Sequence, residues 1–333
     1  MDPIALTREL IGIPSPTGEE GAVVDFMAGV LEREGFRVVR QPVSPGRANL
    51  YATTEPPALV FSTHLDVVPP HLNVHEDDDT LHGRGACDAK GLAAAMLAAA
   101  LTLRSRGENR IGLLFVVGEE DGSDGARAAA DLMPRGRFLI NGEPTENRLC
   151  IGQKGALRVS LTARGRAAHS GYPGEGSSAV DALLDTLERI RAIPIPSDPV
   201  LGASTLNIGR IAGGVAPNVI PADASAELLF RTVAATVTLR QAIAAAADPR
   251  VTVEFPLEIP SVLSSPVPGW ETTIVSYASD LPFLAPWGER YQLGPGTIRL
   301  AHTAEERIGK RELLDGVGRY VSLATTLLAR EAP

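Results

Sequence analysis

His64 and Asp66 close the apolar run ALVFST in STHLD, Asp88 follows in GRGACDAKG, Glu119 and Glu120 end the run IGLLFVV, and Glu143 comes just after FLIN. Imidazole and carboxylate are donors for borderline and hard divalent cations, and donors at the tips of parallel strands are held rigidly over a common crevice. The chemistry this allows is metal-assisted hydrolysis. In an extended chain residues two apart point the same way, so His64 can ligate a metal while Asp66 orients its ring. Asp88 sits in a glycine-bracketed turn, where it can cap the next helix and bind metal at once. Two consecutive acids at the end of a buried strand are electrostatically awkward unless a cation neutralises them. One of Glu119 and Glu120 can therefore bind metal while the other stays free as a general base. His302 follows TIRL late in the chain, at an expected strand end. His169, in RAAHSGYPGEGS, lies among small residues, and His71, His75 and His82 fall in an acid-rich loop and read as surface.

These residues need elements to position them. Residues 4–11 and 19–34 have helical spacing, the second with Thr17 as its expected cap. Apolar runs at 36–40, 58–63, 111–117 and 137–141 read as strands, separated by an Ala-rich helix at 91–103 and a helical stretch at 124–132. Strand–helix alternation predicts an α/β fold with a mixed, mostly parallel sheet sandwiched by helices. After Cys150 the order becomes strand 156–164, helix 177–192, strands 204–211 and 222–232, helix 235–247 and strand 251–255. That β-α-β-β-α-β order predicts a ferredoxin-like α+β domain with sheet edges available for pairing. Beyond the Pro-rich stretch 256–268, residues 271–279, 297–300 and 311–329 are expected as helix, strand and helix. The domains are thus expected as 1–153 with 257–333, and an inserted 154–256.

A chain of 333 residues exceeds the usual span of one hydrophobic core, and 44% hydrophobic with 21% charged residues is the composition of an ordinary globular protein. A net charge of -9 offers no footprint for nucleic acid or an anionic membrane. Two cysteines are too few for a disulfide framework, and the start MDPIALTREL is not that of a signal peptide, so a cytoplasmic location is expected. Cys87, beside Asp88, reads as a small buried residue.

The segments STHLDVVPP, LHGRGACDAKGLAAAM, VVGEED, NGEPT, GQKGALRVSLTARGRAAHSGYPGEGSSAVDAL, GGVAPNVIPADASAELLFR and AHTAEERI, in order over residues 62–308, resemble the M20 zinc aminoacylases and peptidases. The nearest look is to acetylornithine and acetyl-lysine deacetylases and succinyl-diaminopimelate desuccinylases. The resemblance implies two zinc ions per subunit, with cobalt able to substitute, one held by His64, Asp88 and Glu143 and the other by Asp88, Glu120 and His302. It implies Asp66 as support for His64 and Glu119 as the general base. It further implies a homodimer through the inserted lid domain, with His169 stabilising the oxyanion in the partner's site. Asn218 and Arg231 match carboxylate-binding positions, and Gly294 and Gly296 a substrate-lining loop. The activity implied is removal of an acetyl or short acyl group from an N-acyl amino acid, as in arginine biosynthesis, with a dipeptidase or carboxypeptidase as the alternative. The trimmed, acid-rich segment HEDDD between Asp66 and Asp88 departs from relatives and bears on the acyl group accepted.

Overall fold

The computed structural model describes residues 1–331, so positions 332 and 333 of the expected segment 257–333 lie outside the described residues. The chain forms two compact units. The first comprises Met1–Ile151, Ser264–Thr273 and the chain from Ser279 on; the second comprises Gly152–Leu263 and Ile274–Ala278.

In the first unit, α1 (Pro3–Ile11) and α2 (Gly21–Arg33) precede a hairpin of β1 (Arg37–Ser44) and β2 (Arg47–Thr53). Then come β3 (Leu59–His64), the short β4 (His75–Glu76) and β5 (Thr80–His82), α3 (Lys90–Ser105), β6 (Ile111–Val116), α4 (Asp124–Ala129), β7 (Phe138–Asn141) and the start of β8 (Leu149–Gln153). The sheet order is β1-β2-β6-β3-β7. β6, β3 and β7 are parallel, whereas β1, β2 and β6 pair antiparallel. Leu50, Ala52, Leu59, Phe61, Leu113, Phe115 and Ile140 share one core cluster with α1, α2 and α3. Successive strand residues point to opposite faces, and on the other face Tyr51 meets the ring of Trp287 edge-on at 5.3 Å. The Trp287 indole N–H donates to the carbonyl of Ala129, the last residue of α4, at 3.1 Å. α3 packs on α1, β3 and β6. Its alanines from Ala93 to Ala95 are fully buried, and only a small side chain permits that close approach on all sides.

The second unit carries β9 (Gly155–Arg164), α5 (Ala179–Arg191), the two-residue β10 (Ser197–Asp198) and β11 (Gly202–Ala203), β12 (Thr205–Gly213), β13 (Asp223–Thr232), α6 (Val237–Ala246), β14 (Val251–Ile259) and β15 (Val262–Leu263). Its antiparallel sheet runs β12-β13-β9-β14. Leu157, Val159, Leu161, Leu228 and Phe230 alternate along β9 and β13 and pack against Leu183 and Leu187 of α5 and Ile243 of α6.

The chain closes with β16 (Thr272–Val275), β17 (Glu289–Gln292), β18 (Arg307–Gly309) and α7 (Lys310–Leu328). β17 adds to β7 in parallel, so the sheet has four parallel central strands with antiparallel flanks, and α7 packs on α3. β18 pairs with β5, and β5 with β4.

Three local expectations are corrected. Residues 271–279 hold strand β16 rather than a helix; Thr272, Thr273, Ile274 and Val275 are all β-branched and pair with β8. Residues 297–300 form a turn, with Leu300 N–H donating to the Thr297 carbonyl at 3.1 Å. Thr17 does not cap α2, whose N-cap is Glu20; its hydroxyl donates instead to Asp66 Oδ2 at 2.8 Å. No helix among the described residues is long and apolar enough to cross a membrane.

Phe61, fully buried on β3, packs edge-on against Tyr320 with ring centroids 5.5 Å apart. Phe61→Ala is expected to destabilise the first unit by about 3 to 5 kcal/mol, read from the urea midpoint of its unfolding transition.

Candidate metal centre

The parallel register sets the site. His64 lies opposite Val116 and Ser62 opposite Asn141, so β3, β6 and β7 deliver residues 64–66, 117–120 and 142–143 along one edge of the sheet. Asp88 arrives from the turn before α3. Gly85 in that turn has φ +89, and a Cβ there would meet the Lys90 side chain at 2.8 Å, so the turn requires glycine. His302 comes from a turn after β17 and itself has φ 62.

These residues converge. The ligand atoms of His64, Asp88 and Glu143 lie within 4.8 Å of one another, and so do those of Asp88, Glu120 and His302. Asp88 belongs to both groups and divides its oxygens between them. His64 Nε2 stands 3.1 Å from its Oδ1, and His302 Nε2 stands 3.3 Å from its Oδ2. His302 Nε2 also lies 3.0 Å from the Glu120 carboxylate. Glu119 belongs to neither group.

Asp66 does more than back up His64. The imidazole Nδ1 lies 3.0 Å from the Asp66 backbone carbonyl and 3.5 Å from its carboxylate. The carboxylate itself accepts the N–H groups of Glu119 and Glu120, each at 3.1 Å. The backbone carbonyl thereby fixes the tautomer that leaves Nε2 toward Asp88, and the carboxylate anchors the loop bearing both acids.

The electrostatics follow from packing so many carboxylates together. Glu119 keeps some exposed surface, yet the surrounding protein strips enough water to push its carboxyl well above the usual range, with repulsion from Glu143 adding to it. Burial likewise pushes Glu143 well up, and raises Glu120, with Asp88 repelling both. For Asp88, burial pulls upward but the two histidines outweigh it and hold the carboxyl low. His302 is pushed up to about 10 by Asp88 and Glu120. Burial lowers His64, but Asp66 and Asp88 overcome it and leave the imidazole well above its ordinary value. Two imidazoles and three carboxylates, one of them common to both groups, suit a pair of divalent cations, whose charge would relieve the repulsion.

Residues 60–326 match the profile of peptidase family M20/M25/M40. A probable carboxypeptidase of Aspergillus clavatus is 39% identical over 374 residues, covering 98% of this chain and 83% of the relative. The chain belongs to peptidase family M20/M25/M40. It is accordingly a hydrolase of amide bonds. Among solved structures, a tripeptidase from Staphylococcus aureus superposes with a TM-score of 0.80 at 22% identity, covering 98% of each chain. An M20 family metallo-carboxypeptidase from Sulfolobus solfataricus gives 0.77 at 16%, covering 96% of this chain and 98% of that one. At such identities the likeness is one of fold.

The remaining expected site residues fall elsewhere in this M20 chain. Gly294 and Gly296 are buried, and their backbones bond to the turn after Glu143: the Gly294 carbonyl accepts Thr145 N–H at 3.1 Å and Asn147 N–H at 2.8 Å, and that of Gly296 accepts Glu146 N–H at 2.9 Å. A Cβ on Gly294 would meet the Glu143 carbonyl at 2.5 Å, and one on Gly296 would meet Cys87 Cβ at 2.7 Å. Their visible work is close packing behind two ligands. In the second unit, His169 is exposed, and its segment bridges that of Asn218, whose carbonyl accepts Ser170 N–H at 3.0 Å. Asn218 precedes the start of β13, whereas Arg231 lies near its end.

Asp280 is the site neighbour that the sequence pattern misses. It is 2% exposed, its Oδ1 has no hydrogen-bond partner, and the Ser123 hydroxyl faces it without closing a regular bond. The signal was a lone acid in the apolar stretch ASDLPFL. Burial raises its carboxyl from 3.8 to about 7. A folded-state value above the unfolded one means a stability contribution present below the unfolded value and lost as pH rises through the folded one. In chelator-treated protein, Asp280→Asn is expected to gain thermal stability over the parent progressively between pH 4 and 7 and to level off above. A difference constant across that range, measured by scanning calorimetry, would show that the carboxyl is not raised.

Proposed function

We propose that this chain is a two-metal carboxypeptidase, hydrolysing the amide bond on the amine of a C-terminal amino acid, in the cytoplasm. The observation that carries the reading is the division of the Asp88 oxygens between His64 and His302, with Glu119 left outside both ligand groups. The carboxypeptidase naming of the Aspergillus relative supports the peptide substrate, and a count of two cysteines, too few for a disulfide framework, suits a reducing compartment. Zinc is the proposed ion, with cobalt as a substitute.

His64, Asp88 and Glu143 would hold one ion and Asp88, Glu120 and His302 the other. Two such cations, when bound, would supply a lowered pKa for water and polarisation of the amide carbonyl. Glu119, outside both ligand groups, takes the proton from the attacking water and passes it to the leaving amine. Asp66 holds the Glu119 N–H, so base and ligand keep their spacing. Arg231 would receive the substrate carboxylate, a match for the paired hydrogen bonds of a guanidinium. Deacylation of an N-acyl amino acid, including acetylornithine, uses the same bond and carboxylate and differs only in the acyl side.

The dimer completes the proposal: His169 and Asn218 serve the partner's site. His169 is exposed, and the bridge between its segment and that of Asn218 keeps the two together, which supports their serving one site. Edge strand β12, with Ile211 55% exposed, is the surface proposed for pairing.

With zinc or cobalt added, the protein is expected to cleave N-blocked dipeptides bearing a free C-terminal carboxylate faster than their C-terminal amides and faster than N-acetyl amino acids. Preference for the N-acetyl amino acids would restore the deacylase reading, and no turnover on either would overturn both. Glu119→Gln is expected to cut kcat by about 10²- to 10⁴-fold with metal content unchanged; loss of metal instead would mean that base and ligand are exchanged. Mixing His169→Ala with Glu119→Gln copies is expected to recover turnover that neither has alone, and no recovery in confirmed mixed dimers would rule out action across the dimer.

A further inference from the structure

Beneath the ligands lies a buried ion pair that belongs to neither metal group. Glu306 is 1% exposed and Arg84 2%, and Arg84 Nη1 donates to Glu306 Oε2 at 2.6 Å. The other oxygen, Oε1, accepts backbone N–H groups from Gly85 at 2.9 Å and Asp88 at 3.3 Å. One carboxylate thus grips the turn that presents the shared ligand. Arg84 Nη1 also donates to the carbonyl of Thr303, the residue after His302, at 3.2 Å, and Nε to that of Pro70 at 3.2 Å. The Gly83 N–H, in return, donates to the Glu306 carbonyl at 3.0 Å.

We infer that Glu306 and Arg84 are positioning residues that hold Asp88 and His302 in register, so that affinity for the second metal ion, in the Asp88–Glu120–His302 group, depends on them. The two groups differ in what secures them. His64 ends β3 and Glu143 follows β7, both strands in the sheet interior with neighbours on each side. His302 lies on an irregular turn and is 49% exposed, and this pair joins its segment to the Asp88 turn. A buried ion pair is in itself weak evidence for stability, because desolvation cancels much of the attraction and an apolar pair of similar volume often serves as well. Hydrogen bonds to the backbone on both sides of a ligand are what an apolar pair cannot supply. Partners of this kind behind metal ligands typically contribute 10- to 100-fold in affinity.

The inference rests on the two-metal reading, and the test separates the two. Chelator-treated protein is titrated calorimetrically with Zn²⁺, and its metal-free melting temperature is recorded, for the parent, Glu306→Gln and the double variant Arg84→Met/Glu306→Met. Expected are two binding steps in the parent, and in both variants a second step weakened about 10- to 100-fold, with the first, which shares Asp88 but is anchored by His64 and Glu143 at their strand ends, weakened less. The double variant is expected to melt no lower than Glu306→Gln, since no unpaired charge remains buried, yet to stay weak in its second step. Folded variants that keep both steps at parental affinity, or weaken both steps equally, would overturn the inference and leave the two-metal reading intact. Failure of both variants to fold would make the pair a core-stability device and overturn it too. A parent that takes up one ion would overturn the two-metal reading and this inference with it.

Discussion

Carboxylates are gathered at one edge of a buried sheet, and each must be matched by something that tolerates its charge. Asp66, Asp88, Glu143, Asp280 and Glu306 are all at most 5% exposed. Removing an ionised carboxyl from water is costly unless donors or cations replace the water, and the role of each acid follows from its replacement. Asp66 receives two backbone N–H groups and a threonine hydroxyl. Glu306 receives an arginine and two N–H groups. Asp88 faces two imidazoles and is held low, whereas burial drives Glu119 and Glu143 upward. The first two are satisfied by the protein and support its shape. The others suit a site in which external cations complete the charge balance.

That constraint also explains the packing near Asp88. Lys90, in the first turn of α3, is fully buried, and its ammonium donates to the Ile13 carbonyl at 2.6 Å. Burial lowers it to about 8, with Glu306 and Asp66 pulling the other way. A buried cation without a direct carboxylate contact would be hard to account for in an ordinary core; here it lies within the field of the acid cluster. The alanines that follow it let α3 press against the sheet and α1 without displacing the turn that presents Asp88.

Much of this was legible in the sequence, because strand-end acids advertise themselves. An apolar run followed at once by His64, or after a single glycine by Glu119 and Glu120 and by Glu143, marks a strand-end ligand set, and regular helices show in the periodicity. The rest depends on contacts that a linear pattern does not contain. Glu305 and Glu306 are neighbours of one type, yet the first is exposed and the second buried against Arg84, more than two hundred positions earlier. β17 reads ERYQ and carries no apolar run, though it pairs in parallel with β7; its Gln292 is buried, with its side-chain oxygen accepting the Ser279 hydroxyl at 2.8 Å. The short turn Thr297–Leu300 mimics strand alternation, but Leu300 N–H closes it onto the Thr297 carbonyl, and His302 beyond it has a positive φ.

The two functions of Asp66 show why substrate chemistry and metal geometry are not separable in such a centre. Had its carboxylate bonded only to the imidazole, as the spacing of His64 and Asp66 suggests, the residue would tune one ligand and nothing more. Its backbone carbonyl takes that bond at 3.0 Å, and the side chain is spent on the N–H groups of Glu119 and Glu120. One residue therefore sets the orientation of a ligand on β3, the position of a second ligand on the loop after β6, and the reach of the free acid beside it. The distance between base and ligands is thus fixed by three hydrogen bonds converging on a single buried residue. A site assembled from separate strand ends gains from that link a common origin against which the proton-transferring group is placed.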